Sequence, residues 1–111
     1  MNEEKKIRSE NGAMKEMSEI RKPSDQELEQ VVGGVSYDGW AVVSGLESGY
    51  LALRDKPGYD YNNEIRGSES YNGDKLQITG SYVVGFDGKV YVWVYNPRSG
   101  RAGWVNASFL R

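Results

Sequence analysis

Apolar residues are spaced in two different ways along this chain. After Gly39 they fall in short runs that alternate with polar residues, and the clearest run, Lys89-Val-Tyr-Val-Trp-Val-Tyr95, keeps Val90, Val92 and Val94 on one side and Tyr91, Trp93 and Tyr95 on the other. A repeat of two is the mark of a half-buried strand. The pattern predicts strands at Trp40–Ser44, Tyr50–Arg54, Lys75–Thr79, Ser81–Gly85, Lys89–Tyr95 and Ala102–Asn106. They are separated by turn signals at Gly45, Gly49, Pro57-Gly58, Asn72-Gly73, Gly80, Asp87-Gly88, Asn96-Pro97 and Gly100. Asp87-Gly88 between apolar runs predicts a tight hairpin, and Asn96–Gly100 a second one. Residues 35–111 carry no helix-period face, so the expectation is all-β: a small barrel or sandwich of five to seven short strands.

Before Gly34 the apolar positions thin out and their period changes. Leu28, Val31 and Val32 stand at i, i+3 and i+4, which places them on one face of a helix. Ser24 and Glu27 form an S-x-x-E capping box at its start, Pro23 and Leu28 occupy the flanking staple positions, and Asp25 and Glu27 put negative charge in the first turn. Gly33 and Gly34 are suited to end the helix. So short a helix is marginal alone and forms best when its apolar face meets a groove. Upstream, Met14, Met17 and Ile20 make a thin stripe that Pro23 stops, and residues 1–12, with Ile7 as their one apolar side chain after Met1, are expected to be disordered.

Composition sharpens the same boundary. All of the Trp, Tyr and Phe residues lie after residue 34. Residues 1–34 hold six Lys/Arg against eight Asp/Glu, and residues 35–111 hold eight of each. A neutral domain supplies no electrostatic attraction for nucleic acid or an anionic surface. The absence of Cys and His excludes disulfides, thiolate or imidazole metal ligation, and Ser-His-Asp or Cys-His nucleophiles. The carboxylates of the domain fall singly, with no paired general acid and base. A non-enzymatic protein without metal or cofactor is therefore expected, and a monomer. No apolar run reaches the length of a membrane span or of a secretory h-region.

ELEQVVGG, read with Ser24, resembles the double-glycine leader peptides of bacteriocin-type export substrates. Ser24, Glu27, Leu28, Val31, Gly33 and Gly34 match that pattern in register, Ile20 fits a further upstream apolar contact, and Pro23 stands where the family usually has Leu. The resemblance implies that residues 1–34 are a leader, bound as an amphipathic helix by the cysteine peptidase domain of an ABC exporter through Ile20, Glu27, Leu28 and Val31. It also implies cleavage after the Gly33-Gly34 pair, a cytoplasmic precursor, and a secreted mature chain beginning at Val35.

The rest of the chain resembles the bacterial SH3 (SH3b) domain. Leu51-Ala52-Leu53-Arg54 with Pro57, then Ile65, Gly67 and Tyr71-Asn72-Gly73-Asp74-Lys75-Leu76, and finally Gly100–Leu110 with its Gly103-Trp104-Val105 core, follow the order and spacing of that family's elements. Ala52 replaces the usual Asn and Phe109 the usual Tyr. The resemblance implies an SH3-like barrel over residues 35–111 that binds peptidoglycan peptides or other extended peptides. Flat aromatic side chains bind such ligands without a deep pocket. The candidates are Tyr59, Tyr61 and Asn63 of the first loop with Tyr91, Trp93 and Tyr95 of the strand, against a plain packing role for the same side chains. Two other readings stand beside the secreted wall- or peptide-binding module: a bacteriocin-like effector, and an intracellular peptide-binding domain whose Gly-Gly is only a linker.

Overall fold

The computed structural model describes residues 20–32, 39–60 and 62–111. The two hairpins foreseen from turn chemistry are its framework. β1 (Trp40–Val42), β2 (Lys75–Val84), β3 (Val90–Asn96) and β4 (Arg101–Asn106) form one antiparallel sheet in that order, and a 3-10 turn (Ala107–Phe109) follows. The first hairpin turns through Gly85–Lys89, longer than a two-residue loop. Gly85 N–H donates to Lys89 O at 2.8 Å, Gly88 takes a φ of 82°, and the Asp87 carboxylate accepts from Lys89 N–H at 3.1 Å. In the second, Gly100 N–H donates to Asn96 O at 2.8 Å, while the Asn96 side chain accepts from Arg98 N–H at 2.9 Å.

Where the sequence predicts two strands split by Gly80, the structure has one ten-residue strand, β2. The glycine does not stop it; it makes room. A Cβ there would lie 2.8 Å from the Trp93 Cβ. Ile78 pairs with Val94 and Tyr82 with Val92, so Thr79, Gly80 and Ser81 stand against Trp93 alone. That is a bulge, which bends and twists the strand.

The predicted strand Tyr50–Arg54 is a second difference. It contributes isolated pairings instead: Leu51 with Ser70, and Arg54 with both Glu64 and Trp104. Arg54 and Trp104 exchange both backbone bonds, at 2.9 and 2.8 Å. Among the described residues the named strands are thus four. The long connection between β1 and β2 crosses the sheet, pinned at these points. Val43 likewise pairs with Leu110.

Burial follows the alternation for the valines of β3, with Tyr91 on the other face buried as well. Val92, Val94, Val105, Leu76, Leu53 and Val43 are fully buried, with Leu51, Val84, Val90, Ala107 and Leu110 around them. Beneath the connection lies a satisfied polar layer. Ser68 Oγ accepts from Leu53 N–H at 3.1 Å, and the buried Asn96 Nδ2 donates to Ser70 Oγ at 2.8 Å. Buried polar atoms bonded in this way avoid the cost of desolvation without a partner.

The arm helix exists as predicted. α1 spans Asp25–Val32, Glu27 N–H donates to Ser24 Oγ at 3.2 Å, and Ser24 N–H donates back to the Glu27 carboxylate at 2.9 Å. Gly33 and Gly34, the stripe at Met14 and Met17, the disorder expected over residues 1–12, and Tyr61 lie outside the described residues. No helix among the described residues is long and apolar enough to cross a membrane.

Candidate functional site

The first loop and the β2–β3 turn close on each other through one carboxylate. Asp87 Oδ2 accepts from Tyr59 N–H at 3.0 Å and from the Tyr91 hydroxyl at 2.8 Å. Burial, reinforced by that bond, pushes the Tyr91 phenol well above its ordinary value. Gly85 and Gly58 permit the close approach. A Cβ on Gly85 would collide with Pro57 O, and one on Gly58, at φ 144°, would lie 2.5 Å from the Phe86 ring.

Between these loops and the 3-10 turn is a cleft of about 290 Å³. Tyr50, Tyr59, Tyr91 and Phe109 supply its aromatic surface, Leu46 and Leu51 its aliphatic one, and Arg54, Lys89 and Asn106 its polar lining. Arg54 organises the loop side. Its guanidinium donates to Asp60 O at 3.0 Å and to Asn63 Oδ1 at 2.8 Å, and its Cζ sits 4.6 Å from the Tyr59 ring centre. Opposite it, the Tyr50 hydroxyl donates to Glu64 at 2.8 Å, and that bond raises its phenol. A cation held against a ring by other bonds keeps the ring's orientation fixed. Tyr59 remains 61% exposed, so most of its area is available to a ligand.

Of the candidate ligand-binding residues, the structure brings Tyr59 and Tyr91 to this cleft. Asn63 is buried and structural: its Nδ2 donates to Gly58 O at 2.8 Å while its Oδ1 accepts from Arg54. Trp93 and Tyr95 do not line the cleft. Trp93 packs edge-on to Trp104, ring centres 5.4 Å apart, and over Gly80, while Tyr95 is an exposed side chain at the far end of β3. Tyr91 is itself 2% exposed, so it forms wall more than contact surface. Tyr50, Arg54 and Phe109 are the cleft residues that reasoning on strand alternation missed. Arg54 and Phe109 fall within Leu51–Arg54 and Gly100–Leu110, stretches that the sequence singles out by their spacing, whereas Tyr50 lies one residue before the first of them and carries no such signal.

The leader-recognition candidates have partners within the chain. Glu27 is held twice, by the cap and by Arg21, whose two terminal nitrogens donate to Oε1 and Oε2 at 2.9 and 2.8 Å. Leu28 is half-buried, Val31 packs against the core, and Ile20 is largely exposed. The Arg21 hydrogen bond first, and the Ser24 backbone next, hold the Glu27 carboxyl down at about 2, below its ordinary 4.5. A lowered carboxyl contributes stability that is complete above its unfolded value and is lost as the pH falls through the folded one. The cap is therefore expected to be intact at neutral pH and to fail as the pH falls from 4.5 towards 2. The Ser24 amide signal in an NMR titration should move with a midpoint near 2. A midpoint at the ordinary carboxyl value would mean that the arginine clamp is absent in solution.

Among the described residues, no group of His, Cys, Asp and Glu could hold a metal ion. No protein-family model, curated protein or solved structure matches the chain.

Proposed function

We propose that the domain is a non-enzymatic peptide-binding module of the SH3b kind, exported after removal of residues 1–34 by an exporter's cysteine peptidase, and that it then binds peptidoglycan peptides or other extended peptides outside the cell. The observation that carries the binding half is the cleft of Tyr50, Tyr59 and Phe109, held open by Arg54 and Asp87. Shallow aromatic surface on a rigid frame gains area against a ligand with little loss of side-chain entropy. The pairings Arg54–Trp104 and Val43–Leu110 support the finer reading, in which the sheet and the pinned connection together make a small SH3-like barrel of five to seven short strands. The capping box and the apolar face of α1 support the leader.

Two observations favour a second reading. Val31 packs on the core and Arg21 pairs with β2, as expected of an arm that stays with its domain in an intracellular protein. Mass spectrometry of culture supernatant separates the two. A species beginning at Val35 is the expected result; full-length chain confined to the cells would overturn the export reading. The secreted form should then sediment with peptidoglycan and lose that binding on Tyr59→Ala. A folded secreted form that binds no wall preparation ends the wall reading.

A further inference from the structure

Beyond β1, one edge of β2 meets the arm. β1 pairs with β2 only from Lys75 to Gln77, so towards Val84 the strand has β3 on one side and, among the described residues, no named strand on the other. Val84 uses that side fully: its N–H donates to Arg21 O at 2.7 Å, and its C=O accepts from Arg21 N–H at 3.2 Å. In an antiparallel strand every second residue presents its backbone groups to the same edge, so Tyr82 faces outward there as well. The register brings Pro23 opposite Tyr82. Proline has no N–H to give, so the ladder cannot continue as a full pair.

Side chains complete the attachment. Pro23 is buried, and Ile20, Pro23 and Leu28 line an open cleft of about 640 Å³ together with Ser81, Tyr82 and Val83. The Arg21 guanidinium grips Glu27 bidentately, which ties the pairing residue to α1. A bidentate arginine–carboxylate pair fixes orientation as well as distance. α1 in turn approaches β3 and the 3-10 turn. The arm thus caps the β2 edge as a strand would, by backbone bonds at one position and an apolar anchor two residues later.

We propose that the β2 edge at Tyr82–Val84 is a strand-accepting peptide surface, separate from the aromatic cleft. Its occupant in the full chain is the segment Ile20–Pro23, and departure of the arm opens it to an extended peptide with a proline two residues after the pairing position. The opening step rests on the reading of residues 1–34 as a removable leader; the occupancy does not. Backbone bonds to an exposed edge give such a surface affinity, and the proline seat beside Tyr82 gives it selectivity. The ion pair with Glu27 belongs to the arm itself, so the basic residue serves docking within the chain and is not required of an outside peptide.

The test uses the full chain and amide hydrogen exchange. Arg21→Pro removes both the N–H that Val84 O accepts and the guanidinium, and Glu27→Gln weakens the clamp without touching the backbone. The Val84 amide should exchange at least about tenfold faster in Arg21→Pro and more modestly faster in Glu27→Gln, with the Val92 and Val105 amides unchanged. A synthetic peptide of residues 18–28, at roughly millimolar concentration to match a tethered segment, should restore Val84 protection in Arg21→Pro and leave the wild type unaltered. The same peptide with Pro23→Ser should fail. Val84 exchange unaffected in both variants overturns the proposal, as does a peptide that acts equally on wild type and variant. Should Arg21→Pro lose Val92 protection as well, Glu27→Gln decides. All of these measurements are made on the uncut chain, so a failure of export or cleavage would remove the leader reading and leave this one standing.

Discussion

Leu53→Ala is expected to cost the domain about 2–5 kcal/mol, the range for truncating a buried leucine. Leu53 is fully enclosed, and its backbone is committed on both sides: the N–H donates to Ser68 Oγ at 3.1 Å and the C=O accepts from Ile65 N–H at 2.8 Å. Gly103 lies against it so closely that a Cβ there would be 3.0 Å from the Leu53 Cβ and 2.9 Å from Arg54 O. A site fixed by so many bonds cannot collapse into the space left by the deleted methyl groups, which places the loss toward the upper part of that range. The measurement is the urea midpoint at unchanged m-value. Leu53→Met, which preserves volume, should cost less than about 1.5 kcal/mol. Equal losses for Ala and Met would mean that the side chain is not seated as described.

Arg54→Ala should disable the cleft while leaving the sheet folded. The side chain, 11% exposed, donates to Asp60 O and Asn63 Oδ1, lies 3.9 Å from the Glu64 carboxylate and supports the Tyr59 ring. Its removal leaves the buried Asn63 oxygen without this donor, a loss of roughly 1–3 kcal/mol. Tyr59 should then lose its fixed orientation, visible as averaging of its ring signals in NMR spectra, while the Val92 and Val105 amides stay protected. Arg54→Lys should rescue little, because a single ammonium cannot reproduce a planar group with several donors in fixed directions. An ordered Tyr59 in Arg54→Ala would show that Asp87 alone holds the loop.

What could be read from the sequence is what neighbours along the chain decide. Asp87-Gly88 and Asn96–Gly100 make turns with their own side chains, and Ser24 and Glu27 cap α1 across three residues; all three were foreseen, although the first turn is longer than expected. Gly80 misled because its reason lies across the sheet, in the Trp93 Cβ. Tyr50–Arg54 looks like a strand by alternation, yet its partners Ser70, Glu64 and Trp104 come one residue at a time from different parts of the chain, so no ladder forms. The outward side of β3 illustrates the limit for the site. Alternation predicts that Tyr91, Trp93 and Tyr95 share a face, and nothing in it tells that Asp87 and the first loop bury Tyr91 while Gly80 receives Trp93. The pairing of Arg21 with Val84 spans most of the chain and carries no local signature at all.

The single backbone pair between Arg21 and Val84, followed by a proline, bears on what happens when the chain is cut between arm and domain. A segment joined to its site by a short linker experiences an effective concentration of about a millimolar. Attachment through two backbone bonds, one proline seat and the packing of Val31 on the core suffices under that condition, while the Arg21–Glu27 ion pair keeps the arm itself in shape. Once the linker is severed, the same contacts must compete with dilution into the whole solution. On the proposed export reading, the cut itself is what loosens the arm, because its backbone pair, proline seat and Val31 packing lose the help of the linker together.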